Sequence, residues 1–274
     1  MSDNHDVPAA ATPASAPASP ARPASPARPG VAVVTGGSRG IGAATARLLA
    51  ERGWAVCIGY RRDATAADLV VESCRATGVP AVAVQNDVTS AASVGDLFDA
   101  ATRLGEVRAL VNNAGIVDRQ TRVDELTKER LERMLSVNVV GAFLCAGAAV
   151  RAMSTRHGGD GGAIVNVSSA ASRLGSPGEY VDYAASKGAV DTMTLGLARE
   201  VAAEGIRVNA VRPGIIETEI HASGGQPDRA ERLGHTVPLG RPGQAAEVAT
   251  AIAWLCSDEA SFVTGALLDV SGGR

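Results

Sequence analysis

From Val31 onward the chain alternates two kinds of hydrophobic pattern. Short apolar runs at 31–35, 55–59, 81–85, 109–112, 163–167, 207–211 and 266–270 are rich in valine, isoleucine and leucine, which predicts strands buried on both faces. Between them, 41–52, 64–77, 91–103, 127–155, 184–203 and 244–256 carry apolar residues at intervals of three and four, the pattern of amphipathic helices. Strict alternation of strand and helix predicts parallel strands joined by right-handed crossovers. The expected fold is α/β, a doubly wound parallel sheet of about seven strands forming one domain over 31–274, with ligands at the carboxyl ends of the strands.

The first thirty residues break this pattern. Pro8, Pro13, Pro17, Pro20, Pro23, Pro26 and Pro29 are separated almost entirely by alanine and serine, and such a segment cannot bury enough apolar area to offset its ordering entropy. It reads as a disordered tail (1–30), without the apolar stretch of a secretory signal or the arginine-rich periodicity of a transit peptide. The remaining composition is globular, 46 % hydrophobic and 20 % charged, and no run approaches the roughly 20 uninterrupted apolar residues of a spanning helix. A net charge of -3 argues against nucleic acid or an anionic membrane as the main partner. Cys57, Cys74, Cys145 and Cys256 show no C-x-x-C spacing and no nearby histidine pair, so neither a metal site nor a disulfide scaffold is expected, and a reducing, cytoplasmic setting follows.

The first predicted strand runs directly into Thr35-Gly36-Gly37-Ser38-Arg39-Gly40-Ile41-Gly42 and then into a helix. Glycine permits the tight turn and lets backbone N–H groups and a helix N-terminus approach a pyrophosphate where a side chain would collide with it. The spacing is G-x-x-x-G-x-G rather than the general dinucleotide fingerprint.

Further motifs follow in order: Asn112-Asn113-Ala114-Gly115 after the fourth strand, Asn138 in a helix, Ser169, Tyr183-x-x-x-Lys187, and Arg212-Pro213-Gly214 after the sixth strand. Together with the glycine loop these resemble the short-chain dehydrogenase/reductase family, a Rossmann-like fold, from Val31 to the C-terminus. The resemblance is nearest to a group of bacterial oxidoreductases of poorly defined substrate, and more distant to glucose 1-dehydrogenases and 3-oxoacyl-carrier-protein reductases. It implies a nicotinamide cofactor held by Gly36, Ser38, Arg39, Gly40, Ile41 and Gly42, with Asp87 and Val88 at the adenine edge. By the same resemblance, Asn113, Ala114 and Gly115 lie along the cofactor's central region, and Pro213, Gly214, Ile216 and Thr218 surround the carboxamide. Members that prefer NAD usually end the second strand in an acidic residue; that position is Tyr60, followed by Arg61 and Arg62. With no carboxylate to repel a 2′-phosphate and with Arg39 in reach of the same corner, the expectation is NADP(H) preference, NAD(H) remaining possible.

A carbonyl reduced by hydride becomes an alkoxide and needs a proton donor. Tyr183 supplies the hydroxyl, and Lys187, four residues later on the same helix face, is expected to favour the phenolate by its charge. The resemblance makes Ser169 the hydrogen-bond donor to the substrate oxygen, and gives Asn138 a water linking Lys187 to a proton relay. Tyr180 lacks a lysine at the same spacing and reads as pocket lining or core. Thirteen residues separate Ser169 from Tyr183 where the family has twelve, so an extra residue is placed in the 173–182 loop. The glycine-rich segment 216–241, with His221 and His235, reads as a lid. These features imply hydride transfer between nicotinamide and a small ketone, sugar or polyol. A 3-oxoacyl-carrier-protein reductase is the alternative, weighed against by Glu204 where a basic residue is usual and by the insert 157–162 beside Arg156. A non-catalytic nucleotide-binding protein is a second alternative. The apolar faces of 127–155 and 184–203 predict subunit burial, and the resemblance implies a homotetramer.

Overall fold

The computed structural model describes residues 29–274; the tail reading, which concerns 1–30, therefore lies almost entirely outside the described residues. In chain order the elements are β1 (Val31–Thr35), α1 (Gly40–Glu51), β2 (Ala55–Tyr60), α2 (Ala64–Arg75), β3 (Ala81–Gln85), α3 (Ala91–Leu104), β4 (Val107–Asn112), α4 (Lys128–Leu135), a π-helical turn (Ser136–Val140) and α5 (Gly141–Met153). There follow β5 (Gly162–Val167), α6 (Ala171–Leu174), α7 (Val181–Val201), β6 (Ile206–Pro213), β7 (Ile216–Glu217), α8 (Ile220–Ser223), α9 (Arg229–Gly234), β8 (Gly243–Gln244), α10 (Ala245–Cys256) and β9 (Leu267–Val270).

Seven strands form one parallel sheet in the order β3-β2-β1-β4-β5-β6-β9, and β7 pairs with β8 apart from it. Side chains that alternate along each strand feed two cores. Ala32, Val34, Val56 and Ile58 face α1, α2 and α10 on one side, while Val31, Val33 and Cys57 face α3, α5 and α7 on the other. That two-sided burial is why the strands read as unbroken apolar runs. The strand order reverses between β1 and β4, opening a crevice at their carboxyl ends.

Two expected helices differ in detail. The segment expected as one helix over 127–155 is Lys128–Met153, interrupted by the π turn; by length and composition alone it could cross a bilayer, but here its buried residues pack into the cores and against α7. Helix α7 begins at Val181, three residues before the expected start, so Asp182 and Tyr183 stand in its first turn.

Candidate active site

The glycine loop lies at the reversal point. Gly36 and Gly40 have φ of +64° and +53°, where L side chains are strained. A Cβ at Gly42 would stand 2.3 Å from the Gly36 carbonyl oxygen and 2.6 Å from Asn113 Nδ2. Helix α1 starts with no side-chain cap and no acid in its first turn, leaving its N–H groups bare. Asn113 braces the loop: Nδ2 donates to the carbonyls of Thr35 and Gly36 at 2.9 and 3.1 Å, and the Asn113 and Ala114 amides both donate to Thr35 Oγ1 at 3.0 Å. Asn112 instead stitches the sheet, donating to the Ala142 carbonyl and to Asn166 Oδ1. A backbone cradle that any Cβ would fill, beside a bare helix N-terminus, fits a dinucleotide pyrophosphate.

At the far end of the crevice Tyr60 packs half-buried against the core, Arg62 is exposed, and Arg61 Nη1 pairs with Asp87 Oδ1 at 2.7 Å. Asp87 also accepts from the Thr89 amide and hydroxyl at 3.0 and 2.8 Å. Partial burial pushes the Asp87 carboxyl up, but the Thr89 hydrogen bonds and the Arg61 charge outweigh it, so it sits below the usual range. Val88 is buried against Gly141. Arg39 does not join Arg61 as expected: its Nη2 donates to Ser223 Oγ at 3.3 Å, tying the glycine loop to α8. Thr218 lies 3.4 Å from where a Gly40 Cβ would stand, Ile216 is buried in the β7–β8 pair, and Gly214 packs on the Ser271 backbone behind Pro213.

Four side chains converge beside Gly115. Asn138, buried in the π turn, accepts from the Ile116 amide at 2.8 Å and donates to the Ile116 carbonyl at 2.9 Å and Ser186 Oγ at 3.0 Å. A π turn inserts one residue, and here it directs an asparagine out of a core helix into the site. Lys187 Nζ donates to the Val167 carbonyl at 2.7 Å and stands 5.7 Å from the Tyr183 ring centroid. A Cβ at Gly115 would lie 3.3 Å from Asn138 Oδ1 and 3.4 Å from Lys187 Nζ. Ser169 hydrogen-bonds the Tyr183 hydroxyl, whereas Ser168 turns inward to donate to the Lys187 carbonyl.

The electrostatics depart from the expectation that Lys187 draws the phenol toward ionisation. Burial pushes the Tyr183 phenol up, and the Ser169 hydrogen bond offsets only part of that. Burial likewise pushes Lys187 down to about 8, with Asp191 acting in the opposite direction. At each group desolvation is the largest cause, outweighing the Ser169 hydrogen bond at Tyr183 and the Asp191 charge at Lys187.

Several residues that shape the pocket carry no local sequence signal. Arg130 on α4 makes a buried two-point pair with Asp182 at 2.8 and 3.2 Å and donates to the Arg119 carbonyl and Thr121 Oγ1 at 2.7 and 2.9 Å. Glu179 pairs with Arg229 of α9 at 2.5 Å, and that guanidinium lies 5.1 Å from the centre of the buried Tyr180 ring. The 173–182 loop thus ties both the segment after β4 and α9 to the start of α7. Its turn uses Gly175 and Gly178 at φ of +75° and +72° and puts Ser176 at +46°. His235 is exposed, and the His221 side chain lies outside the described residues.

One expectation about the rim is corrected. Arg156 and Glu204, 3.9 Å apart, stand before β5 and β6, at the amino ends of strands whose carboxyl ends carry Ser169 and Pro213. Ser154 Oγ donates to Glu204 at 2.5 Å, closing that end of the sheet. These residues and the insert 157–162 lie across the sheet from the crevice and say nothing about a carrier protein at its mouth.

Among the described residues, no group of three or more histidine, cysteine or acidic side chains is placed to hold a metal ion. Residues 36–274 match the family model described as enoyl-(acyl carrier protein) reductase. The chain is 56 % identical over 245 residues to the uncharacterized oxidoreductase YgfF of Escherichia coli (strain K12), covering 89 % of this chain and 99 % of that protein. It is 45 % identical to the cis-4-hydroxycyclohexanecarboxylate dehydrogenase of Sinomonas cyclohexanicum, covering 89 % and 95 %. The crystal structure of 3-ketoacyl-(acyl-carrier-protein) reductase from Brucella melitensis complexed with NADH superposes with a TM-score of 0.82 at 33 % identity, covering 89 % and 97 %.

Proposed function

Because the chain belongs to the short-chain dehydrogenase/reductase family and is an oxidoreductase acting on CH–OH groups, we propose that it transfers hydride between NADP(H) and the carbonyl or alcohol group of a small ketone, sugar or polyol. The observation that carries this reading is the convergence of Asn138, Ser169, Tyr183 and Lys187 beside the glycine cradle. The nicotinamide, when bound, supplies or accepts the hydride. Tyr183 gives its hydroxyl proton to the carbonyl oxygen in reduction and takes it back in oxidation; its phenol, pushed up by burial, holds that proton at neutral pH until the carbonyl oxygen accepts it. Ser169 holds the same oxygen by a hydrogen bond. Lys187 carries the positive charge beside the developing alkoxide, and Asn138 fixes the Ile116 backbone directly after Gly115, on the segment that would lie along the cofactor.

For the coenzyme, the exposed Arg61 and Arg62 and the absence of a carboxylate at Tyr60 support NADP(H). The NADH in the Brucella relative keeps NAD(H) as the competing outcome. For the substrate, the dehydrogenase named for a small cyclic hydroxy acid supports a small molecule, and the carrier-protein reductase supports the second reading, a 3-oxoacyl thioester. Exposed Leu135 and Phe143 on the 128–153 helix and Leu195 on α7 support subunit burial as a homotetramer, and the four free cysteines fit a reducing cytoplasm. The test is NADPH and NADH oxidation against 2,3-butanedione, 4-oxocyclohexanecarboxylate, a sugar panel and an acetoacetyl thioester. Turnover of a small carbonyl with NADPH is expected; turnover of the thioester alone, or equal efficiency with NADH, overturns the substrate or the coenzyme assignment.

A further inference from the structure

Asp191 stands on α7 one helical turn after Lys187 and is buried. Arg212, near the end of β6 and directly before Pro213-Gly214, donates from Nε and Nη2 at 3.0 and 2.8 Å to the same oxygen, Asp191 Oδ2. The other oxygen, Oδ1, is the buried side-chain polar atom that has no hydrogen-bond partner among the described residues. A buried carboxylate that uses one oxygen for its counter-ion and leaves the other bare keeps its charge directed at its surroundings. Around Lys187 stand Tyr183 one turn before it and Asp191 one turn after it on its own helix, Asn138 from the π turn, the Val167 carbonyl from β5 and Gly115 from the loop after β4; Arg212 of β6 bonds to Asp191. Asp191 is the charged group among them.

We propose that Asp191, fixed by Arg212 one helical turn from Lys187 and with one carboxylate oxygen unpartnered, is a positioning residue that sets the charge environment of Lys187. This deepens the reading of Lys187 as part of the catalytic machinery and rests on it. The physics has a direction. Burial acts to lower Lys187 and Asp191 acts to raise it, so removing the carboxylate's charge is expected to lower the lysine further. The Arg212 that holds Asp191 directly precedes Pro213-Gly214 on β6, so the carboxylate is anchored next to the proposed nicotinamide site.

The chain contains only two lysines, Lys128 and Lys187, and Lys128 is 81 % exposed, which makes a direct measurement possible. Protein labelled with ¹³C at lysine Cε is titrated by NMR without substrate or cofactor, Lys128 serving as the internal reference for an ordinary amine. A midpoint for Lys187 near 8 is expected in the wild type. In Asp191→Asn, which keeps the shape and an oxygen for Arg212, the midpoint falls by on the order of one pH unit. In Arg212→Gln it rises, because the carboxylate loses the cation that compensates it. Simple loosening would admit water and raise the midpoint in both variants, so the opposite signs separate the two accounts. A midpoint in Asp191→Asn that is unchanged or higher overturns the proposal; if that protein does not fold, Asp191→Thr removes the same charge and gives the same reading. Because only the lysine is observed, failure here is distinct from failure to find turnover.

Discussion

Replacing Lys187 with methionine removes a group whose burial costs stability over a defined pH range. The side chain is 5 % exposed, and its amine loses its proton near 8 in the folded chain against 10.5 for the free group. At about 1.4 kcal/mol per pH unit, that difference amounts to roughly 3 kcal/mol. Between pH 8 and 10.5 the unfolded chain holds a proton that the folded chain has released, so the lysine's contribution to stability rises with pH across that window. Below pH 8 both states are protonated and the full penalty stands. Lys187→Met is therefore expected to gain most over wild type at pH 7, with the gain shrinking by about 3 kcal/mol by pH 10.5. The loss of the hydrogen bond to the Val167 carbonyl offsets part of the gain at every pH and leaves the slope untouched. The assay is urea unfolding of both proteins at half-unit steps from pH 7 to 10.5, at one protein concentration so that association contributes equally. A stability difference that stays flat across the window refutes the burial argument.

Other substitutions test other parts of the site. Gly42→Ala drives a methyl into the Gly36 carbonyl and Asn113, and is expected to abolish NADPH binding in a fluorescence titration while the far-ultraviolet circular dichroism is kept. Arg130→Met leaves Asp182 buried and unpaired and is expected to cost about 3–5 kcal/mol in a denaturant melt. Arg61→Ala is expected to weaken NADPH by about tenfold with NADH unchanged, as read from paired titrations, since a charge-assisted bond contributes about 1.5–3 kcal/mol. That last variant also frees Asp87 from its exposed partner, a surface pair worth little by itself.

Much of the architecture was legible because it is local. Strands such as Val31–Thr35 and Ala81–Gln85 begin and end where the valine runs do, and the glycine loop, Asn113 and the Tyr183/Lys187 spacing each occupy a few consecutive residues. What was not legible depends on distance along the chain. Arg130 and Asp182 are 52 residues apart, Glu179 and Arg229 are 50 apart, and neither pair leaves a periodic mark. The π turn at Ser136–Val140 is invisible to a three-and-four repeat, which cannot register one inserted residue among apolar neighbours. A likeness to carrier-protein reductases does not say which end of the sheet Arg156 and Glu204 occupy; strand direction places them at the amino ends of β5 and β6. Arg39 was expected beside Arg61, but a long side chain at the start of a helix has several polar neighbours to choose from, and Ser223 of α8 takes it.

The central claim is that Tyr183 delivers the proton while the cradle around Gly36 to Gly42 holds the coenzyme independently of it. The direct measurement is NADPH binding and NADPH-dependent turnover of the best small carbonyl, side by side, for wild type and Tyr183→Phe. The account predicts equal NADPH affinity and turnover lower by about a hundredfold or more. Turnover of the phenylalanine protein within a few-fold of wild type would contradict it.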